Sequence, residues 1–184
     1  MAIQYTTTSE MRSFASSLTE TARVAIRKRA ETRSPVAATF LSHSTKDGDI
    51  VPYAVNLLEA HGAAVYIDKK DAALPPYTSR ETARILRDRI GQSSKFVLLA
   101  SENSKGSRWV PWELGLADGH KSPRNVAIFP AVDQAYDYAW TEQEYLGIYD
   151  RIVFGDHSSH TDKIWMVLNQ EKNTATELGQ WLRS

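Results

Sequence analysis

The sequence predicts an α/β fold in which helices flank a mainly parallel sheet of five strands. Short apolar runs without alternating polar residues, such as 96–100 (FVLLA), are typical of strands that are buried on both faces. Segments with apolar residues at every third or fourth position lie between these runs, which indicates crossover helices between parallel strands. The chain has 184 residues, of which 42% are hydrophobic, and this supports one folded core with an appendage.

The charge and the cysteine content exclude several classes of protein. The 22 basic and 22 acidic residues cancel, so the chain has no global positive field that would attract nucleic acid or an anionic membrane. Because the chain contains no cysteine, disulfides, thiolate zinc sites and cysteine nucleophiles are excluded. The first residues lack the apolar segment of a signal peptide, and no apolar run reaches the length of a membrane span. We expect a cytoplasmic protein with no nucleic-acid or membrane partner.

A single long helix is predicted over residues 9–33, before the main domain. Ser9 is a candidate N-cap, and Ser34-Pro35 ends the pattern because the residue before a proline avoids helical backbone angles. The stripe of apolar residues with helical spacing consists of Met11, Phe14, Leu18, Ala22, Ala25 and Ile26. This stripe must be covered by the main domain or by a second copy of the chain. A boundary near Pro35 separates the N-terminal helix, 1–35, from a main domain, 36–184.

The first half of the main domain alternates strands with helices. The predicted order is a strand at 36–41, a helix at 50–61, a strand at 64–67 and a helix at 78–90. Pro52 falls in the first turn of its helix, where proline is tolerated, and Gly62 is a typical helix-terminating residue. Thr78 and Glu81 have the spacing of a capping box, which predicts the start of the second helix.

The second half continues the alternation and adds an extension. The predicted elements are a strand at 96–100, a helix from Trp109, a strand at 125–130, a short helix near 141–146, a strand at 151–154, an edge strand at 163–168 and a closing helix at 174–182. Asn173 is a candidate N-cap for the closing helix. The last two elements form a C-terminal strand-helix extension that begins at about residue 156.

Polar residues follow the predicted strands at the edge where an open α/β sheet binds its ligands. Ligands in such folds lie beyond the carboxyl ends of the strands, and Ser42, Asp68 and the loop 101–108 all follow strand ends. Trp109 and Glu113 come next, four residues apart on one helix face. An indole beside a carboxylate suits a flat cationic ring, although indoles at this spacing also occur in helix cores.

Several common sites are absent from the sequence. A glycine-rich dinucleotide fingerprint, a phosphate-binding loop ending in Gly-Lys-Ser/Thr and a Gly-x-Ser-x-Gly elbow do not occur. The first and third strands end in Ser42-His43 and Ala100-Ser101, where a phosphoacceptor receiver domain needs acidic residues. The five histidines show no helical pair with metal-ligand spacing, so we expect no metal site.

Three motifs in order resemble a known family. Residues 38–44 (ATFLSHS) followed by Asp47 resemble the first conserved box of a TIR (Toll/interleukin-1 receptor) domain, and 62–68 (GAAVYID) resemble its second strand. The most specific motif begins with 97–101 (VLLAS). It continues as the Ser-x-x-Ser-x-Trp-x-x-x-Glu-Leu pattern of NAD-cleaving TIR domains, with Ser104, Ser107, Trp109, Glu113 and Leu114. The resemblance covers roughly residues 36–155.

The resemblance implies a flavodoxin-like fold and an enzyme that cleaves NAD. In TIR domains with this activity the equivalent of Glu113 is the catalytic glutamate, and NAD is the substrate, so no separate cofactor is implied. Ser42, His43 and Ser44 would line the ribose or the pyrophosphate, or they would only cap their loop. Trp109 would support the helix and contact the substrate.

The segment that corresponds to the BB loop of TIR domains departs from the family pattern. It reads Leu74-Pro75-Pro76-Tyr77 and lacks the glycine that many TIR domains have there. Two successive prolines fix φ and stiffen the backbone. The resemblance implies that Asp68 orders this loop more than it binds substrate.

The resemblance also implies products and partners. Water would convert the cleaved substrate into ADP-ribose, and an internal nucleophile would give a cyclic isomer. Bacterial members often serve antiphage systems such as Thoeris, in which a nucleotide signal reaches a separate effector protein, and TIR surfaces often self-associate. Two other interpretations stay open, namely a non-catalytic TIR interaction module and an enzyme similar to nucleoside deoxyribosyltransferases.

Overall fold

The computed structural model describes residues 3–68, 80–136, 146–169 and 171–184. Within these ranges the strands are β1 (Ile3–Gln4), β2 (Thr6–Thr7), β3 (Thr39–Ser42), β4 (Val65–Tyr66), β5 (Lys95–Ala100), β6 (Val126–Val132), β7 (Asp150–Gly155), β8 (Ile164–Asn169) and β9 (Thr174–Glu177). The α-helices are α1 (Thr8–Ser17), α2 (Glu20–Thr32), α3 (Val51–Ala60), α4 (Arg80–Gln92), α5 (Glu102–Lys105), α6 (Val110–His120) and α7 (Leu178–Arg183).

Five parallel strands form the centre of the sheet, in the spatial order β4-β3-β5-β6-β7. Numbered along the chain, this order is 2-1-3-4-5, which is the flavodoxin-like arrangement. Every residue of β3, β5 and β6 is buried, because helices cover both faces of these strands. The predicted α/β fold with a mainly parallel sheet is confirmed.

The two faces of the sheet carry separate hydrophobic cores. One core packs α1, α2, α3 and α7 against side chains such as Leu41 and Phe129. The other packs α4 and α6 against the opposite face, where Phe40 and Phe96 stack with ring centroids 5.6 Å apart. The helices after β3 and after β5 therefore lie on opposite faces of the sheet, and this divergence determines where the site is.

The C-terminal part differs from the sequence prediction. The segment predicted as an edge strand, 163–168, is β8, and it lies between β7 and β9 with antiparallel pairing on both sides. The predicted helix at 174–182 is wrong for its first four residues, which form the edge strand β9. Asn173 is not a helix cap but a turn residue with φ of 49°. The turn pairs Asn169 with Thr174, and threonine favours a pleated strand over a helix.

The predicted N-terminal helix is two helices. Thr7, rather than Ser9, caps α1, and its side chain and that of Glu10 form a capping box. Leu18 has extended backbone angles, and Thr19 then caps α2. The break lets both helices pack on α3, which one straight rod of 25 residues could not do along its whole length.

The N-terminal segment is built into the same sheet and core. Strand β1 pairs with β7, and β2 pairs with the last two residues of β6, Ala131 and Val132. Met11 and Ala30 are fully buried in the core on the α3 face. Within the predicted apolar stripe, Met11 is thus buried inside the chain, Phe14 and Ile26 are partly buried, and Ala25 is exposed.

Other predicted elements shift by a few residues. The first strand begins at Thr39 rather than at position 36, because Ala37 has a positive φ of 56° that does not fit a strand. The proposed helix near 141–146 falls mostly outside the described residues, and Leu146–Ile148 form one 3₁₀ turn. Among the described helices, none combines the length and the apolar character needed to cross a membrane.

Candidate active site

Glu113 lies in the first turn of α6, just beyond the carboxyl end of β5, and its side chain is completely buried. The local sequence fixes where this helix begins. The Ser107 hydroxyl accepts hydrogen bonds from the backbone N–H groups of Trp109 and Val110, each at 3.3 Å. Pro111 occupies an early helical position, where its missing N–H costs nothing. Glu113 is therefore held in the first turn by a serine cap and a proline.

Ser42 is the direct partner of Glu113. It is the last residue of β3, it is 1% exposed, and its hydroxyl donates a short hydrogen bond to the Glu113 Oε2 atom. Strands β3 and β5 are neighbours, but their crossover helices α3 and α6 leave to opposite faces. Ligands of open α/β sheets bind at such a switch point. The structure thus brings two of the candidate residues together at the expected place.

A second contact joins the segment that follows β3 to the segment that follows β5. Asp47 ends the 3₁₀ turn that follows β3, and it is completely buried. Its Oδ2 accepts a hydrogen bond from the Ser101 hydroxyl and its Oδ1 accepts one from the Asn103 amide, both at 2.7 Å. Ser101 is also the N-cap of α5, and its hydroxyl accepts the N–H of Ser104 at 3.2 Å. Two buried carboxylates therefore lie on one rim of the sheet.

His43 and Ser44 are buried next to Ser42. His43 is 5% exposed, and its Nδ1 lies 3.3 Å from the Leu41 carbonyl oxygen. The Ser44 hydroxyl accepts the N–H of Lys46 at 3.3 Å and so caps the 3₁₀ turn. The described hydrogen bonds of both side chains thus run to nearby residues of the same segment, in line with the capping alternative for Ser44.

Asp68 belongs to a different cluster. The Tyr66 hydroxyl donates to its Oδ1 at 2.9 Å, and Arg89 of α4 forms a close ion pair with the same carboxylate. Burial raises the pKa of Tyr66 above its ordinary value, and the charge of Asp68 raises it further. These contacts fasten the end of β4 to α4, directly before residue 69. The candidate residues Leu74, Pro75, Pro76 and Tyr77 lie outside the described residues.

Trp109 precedes α6 and is half-buried. Its ring meets that of Trp112 edge to face, with centroids 5.5 Å apart, and both rings pack against the core on the α6 face. Trp109 as a residue stays partly accessible at the start of the helix. Trp109 is thus placed to stabilise the start of α6, and its accessible part is available for contact with a ligand.

The rim is suited to stabilise positive charge. Glu113 is enclosed by protein, and the attraction between a carboxylate and a cation is several times stronger there than in water. The sequence pattern singled out Glu113 and Ser42, but it gave no role to Asp47, Ser101 or Asn103. Their contacts join positions 54 and 56 residues apart, which no local spacing reveals.

Comparison with known proteins identifies the family of this chain. A sequence model described as TIR domain matches residues 39–164. The chain is also 39% identical, over 136 residues, to a protein of Bacillus cereus (strain MSX-D12) named probable 3' cyclic ADP-D-ribose synthase ThsB'. That match covers 72% of this chain and 69% of the relative. The family match contains all of the residues that form the rim.

Proposed function

Because this chain belongs to the TIR domain family, we propose that it cleaves the nicotinamide–ribose bond of NAD and closes the remaining ADP-ribose into a cyclic product. The observation that carries the proposal is the buried Glu113 carboxylate, held by Ser42 at the switch point of the sheet. The name of the Bacillus cereus relative supports NAD as the substrate and a cyclic product. NAD is consumed as the substrate, so the proposal needs no further cofactor.

The chemistry of the leaving group explains why one carboxylate suffices. Nicotinamide is cationic while it is bonded to ribose and leaves as a neutral molecule with the electron pair of the broken bond. No acid has to protonate it. Positive charge instead develops on the ribose ring in an oxocarbenium-like transition state. The catalytic demand is therefore a fixed negative charge next to the sugar.

Glu113 meets this demand through charge and position. In the transition state its carboxylate stabilises the cationic sugar, and a preorganised charge in a water-poor site does so without reorganisation. Ser42 donates to Oε2 and holds the carboxylate in one orientation. Trp109 is partly exposed, and its indole would provide a flat surface for the nicotinamide ring. Ser42, His43 and Ser44 form the strand tip on which the sugar or the pyrophosphate would lie.

The second half of the reaction determines the product. A nucleophile at the adenosine end of the same molecule attacks C1 of the ribose and forms a new glycosidic bond. When this nucleophile is a hydroxyl group, its proton passes to the Glu113 carboxylate and then to water. Attack by water at C1 would give linear ADP-ribose instead. We expect the 3' cyclic isomer that the relative is named for.

The biological role that we propose is signalling in antiphage defence of the Thoeris type, with the cyclic product as the signal. The signal would reach a separate effector protein that binds the nucleotide. We also propose that copies of the chain associate through TIR surfaces.

The experiment that tests the proposal measures nicotinamide release from NAD and identifies the products by mass spectrometry. We expect nicotinamide and a cyclic ADP-ribose in equal amounts, and neither product from Glu113→Gln. Glu20→Gln is the matched control, because Glu20 is exposed and is paired only with Arg23 in the described contacts. Absence of release at high protein concentration, or full release by Glu113→Gln, would contradict the proposal.

Two parallel measurements separate the alternative interpretations. Light scattering with and without NAD detects assembly, and assembly without turnover would favour a non-catalytic interaction module. Incubation with deoxynucleosides and a free base tests the third interpretation. Base exchange on deoxyribose, with no release of nicotinamide from NAD, would favour an enzyme similar to nucleoside deoxyribosyltransferases.

A further inference from the structure

We propose that Asp47 is a positioning residue, which fixes α6, and with it Glu113, against the end of β3. The inference rests on the proposed function, since it concerns the same site. Asp47 lies five residues after Ser42 and does not contact Glu113 in any described hydrogen bond. It would act through the segment 101–106 that leads into α6.

Described side-chain hydrogen bonds join the two segments of the site at two separate points. The first point is the hydrogen bond from Ser42 to Glu113. The second is the pair of hydrogen bonds from Ser101 and Asn103 to the two oxygens of Asp47. We call this second contact the Asp47 clasp. One hydrogen bond allows rotation about its axis, whereas two separated contacts fix both the distance and the orientation of α6.

The Asp47 clasp continues into the backbone that carries Glu113. Ser101 both donates to Asp47 and accepts the N–H of Ser104, so its hydroxyl has one fixed orientation. The N–H of Ser107 donates to the Ser104 carbonyl at 3.1 Å, and the Ser107 hydroxyl caps the start of α6. A continuous series of hydrogen bonds thus runs from Asp47 to the first turn of α6.

The burial of Asp47 indicates that its position is specified. Asp47 is 0% exposed, so its carboxylate has given up its hydrogen bonds to water. In the described residues, two neutral donors replace those hydrogen bonds. Asparagine has the same shape at a lower desolvation cost, but its NH₂ group cannot accept from a second donor. Only a carboxylate accepts from Ser101 and Asn103 at once with both oxygens.

The consequence concerns both the rate and the product. A shift of about 1 Å in a catalytic group costs about a hundredfold in rate. A displaced α6 would also open space beside the cationic sugar, and water would then compete with the internal nucleophile for C1. Loss of the Asp47 clasp should therefore lower kcat and raise the proportion of ADP-ribose among the products.

The test compares Asp47→Asn with Asp49→Asn. The control carries the same chemical change two residues away, at an exposed carboxylate that pairs with Arg12 at 2.6 Å. We expect Asp47→Asn to lower kcat by about 10- to 100-fold and to change KM for NAD by less than about twofold. The ratio of ADP-ribose to cyclic product should rise in this variant, and Asp49→Asn should match the wild type in all three quantities.

A hydrogen-exchange measurement on the same proteins follows the position of the helix without reference to activity. Asp47→Asn should speed exchange at the amides of Ser104 and Glu113, and Asp49→Asn should leave them unchanged. Asn103→Ala removes one half of the clasp at a half-buried position, and it carries the test if Asp47→Asn does not fold. It should show the same changes at smaller size.

Three outcomes separate the inference from the function on which it rests. A folded Asp47→Asn or Asn103→Ala protein with wild-type kcat, product ratio and exchange would overturn the role of Asp47. If the wild type releases no nicotinamide, the proposed function fails, and the exchange rates alone then decide whether Asp47 positions α6. Faster exchange in Asp47→Asn supports the clasp in that case, and unchanged exchange rejects it.

Discussion

Two buried charges lie at opposite ends of the central strand β5. Lys95 is its first residue and is 1% exposed, whereas Glu113 follows its carboxyl end and is 0% exposed. The Lys95 ammonium donates to Asn125 Oδ1 at 2.7 Å and to the Ser184 hydroxyl at 3.0 Å. It also lies 4.9 Å from the centroid of the Trp181 ring. Burial lowers the pKa of Lys95 below its ordinary value.

The difference between these ends shows that burial of a charge does not by itself identify a site. At the amino end, the partners of Lys95 come from the turn before β6 and from α7, so the ammonium fastens the C-terminal helix to the sheet. At the carboxyl end, α3 and α6 diverge to opposite faces of the sheet, which is where open α/β folds bind their ligands. We infer that the amino end serves stability and the carboxyl end serves chemistry.

The largest expected effect is that of Glu113→Gln on activity. Glutamine keeps the volume and accepts from Ser42, but it removes the charge that stabilises the cationic sugar. We expect nicotinamide release to fall by at least about a thousandfold, or about 4 kcal/mol in transition-state stabilisation. Urea denaturation should show equal or greater stability, because an enclosed charge has been removed. A strongly destabilised Glu113→Gln protein would show that Glu113, like Lys95, serves the stability of the fold.

Lys95→Ala should show the reverse pattern. Truncation removes the buried stem and leaves the oxygens of Asn125 and Ser184 without this donor, so we expect about 2–4 kcal/mol lower stability. The rate per folded molecule should be unchanged. Exposed Lys163→Ala is the control and should alter stability by less than about 0.5 kcal/mol. A fall in kcat of folded Lys95→Ala would show that the two ends are coupled.

Ser42→Ala compares a serine at the carboxyl end with one at the amino end. Loss of its hydrogen bond frees the orientation of Glu113, and we expect kcat to fall by about 10- to 100-fold, or about 1.4–2.7 kcal/mol. Ser94→Ala is the matched control, since its hydroxyl donates to the Ala37 carbonyl at 3.1 Å at the other end of the sheet. If both substitutions lowered kcat equally, the view that only the carboxyl end of the sheet serves chemistry would be wrong.

The smallest effect concerns the pH dependence at Asp150, at the amino end of β7. Burial raises the pKa of Asp150 above its ordinary value of 3.8, although its hydrogen bond with Asn169 opposes this. Asp150 therefore holds its proton to a higher pH in the folded protein than in the unfolded chain. As pH rises above 3.8, the unfolded chain releases the Asp150 proton first, and the free energy of unfolding falls.

Asp150→Asn, which cannot ionise, tests this dependence. It should be more stable than the wild type at neutral pH by less than about 1 kcal/mol, and the difference should vanish at about pH 3. Urea denaturation at both pH values measures it, with NAD turnover as the second readout. A difference that stays constant with pH would show that Asp150 acts through packing and not through its charge.

The parallel core could be read from the sequence, and the extensions at the two ends of the chain only in part. Apolar runs such as 96–100 and 126–129 indicate strands because continuous burial needs continuous apolar side chains. The segment 174–177 is predicted as the start of a helix because Asn173 is a candidate N-cap. Its pairing with β8 outweighs that local pattern. The break at Leu18 likewise follows from packing on α3, since the apolar stripe continues through it.

Local periodicity and caps predict the alternating strands and helices and place Glu113 in the first turns of a helix. The flavodoxin-like strand order and the candidate catalytic role of Glu113 come from the resemblance to TIR domains. The hydrogen bonds from Ser42 to Glu113 and from Ser101 and Asn103 to Asp47 become visible only in the folded chain, because their partners lie far apart in the sequence. Hydrogen bonds between residues 54 to 71 positions apart depend on how two strands and their loops pack, and no local pattern encodes that packing.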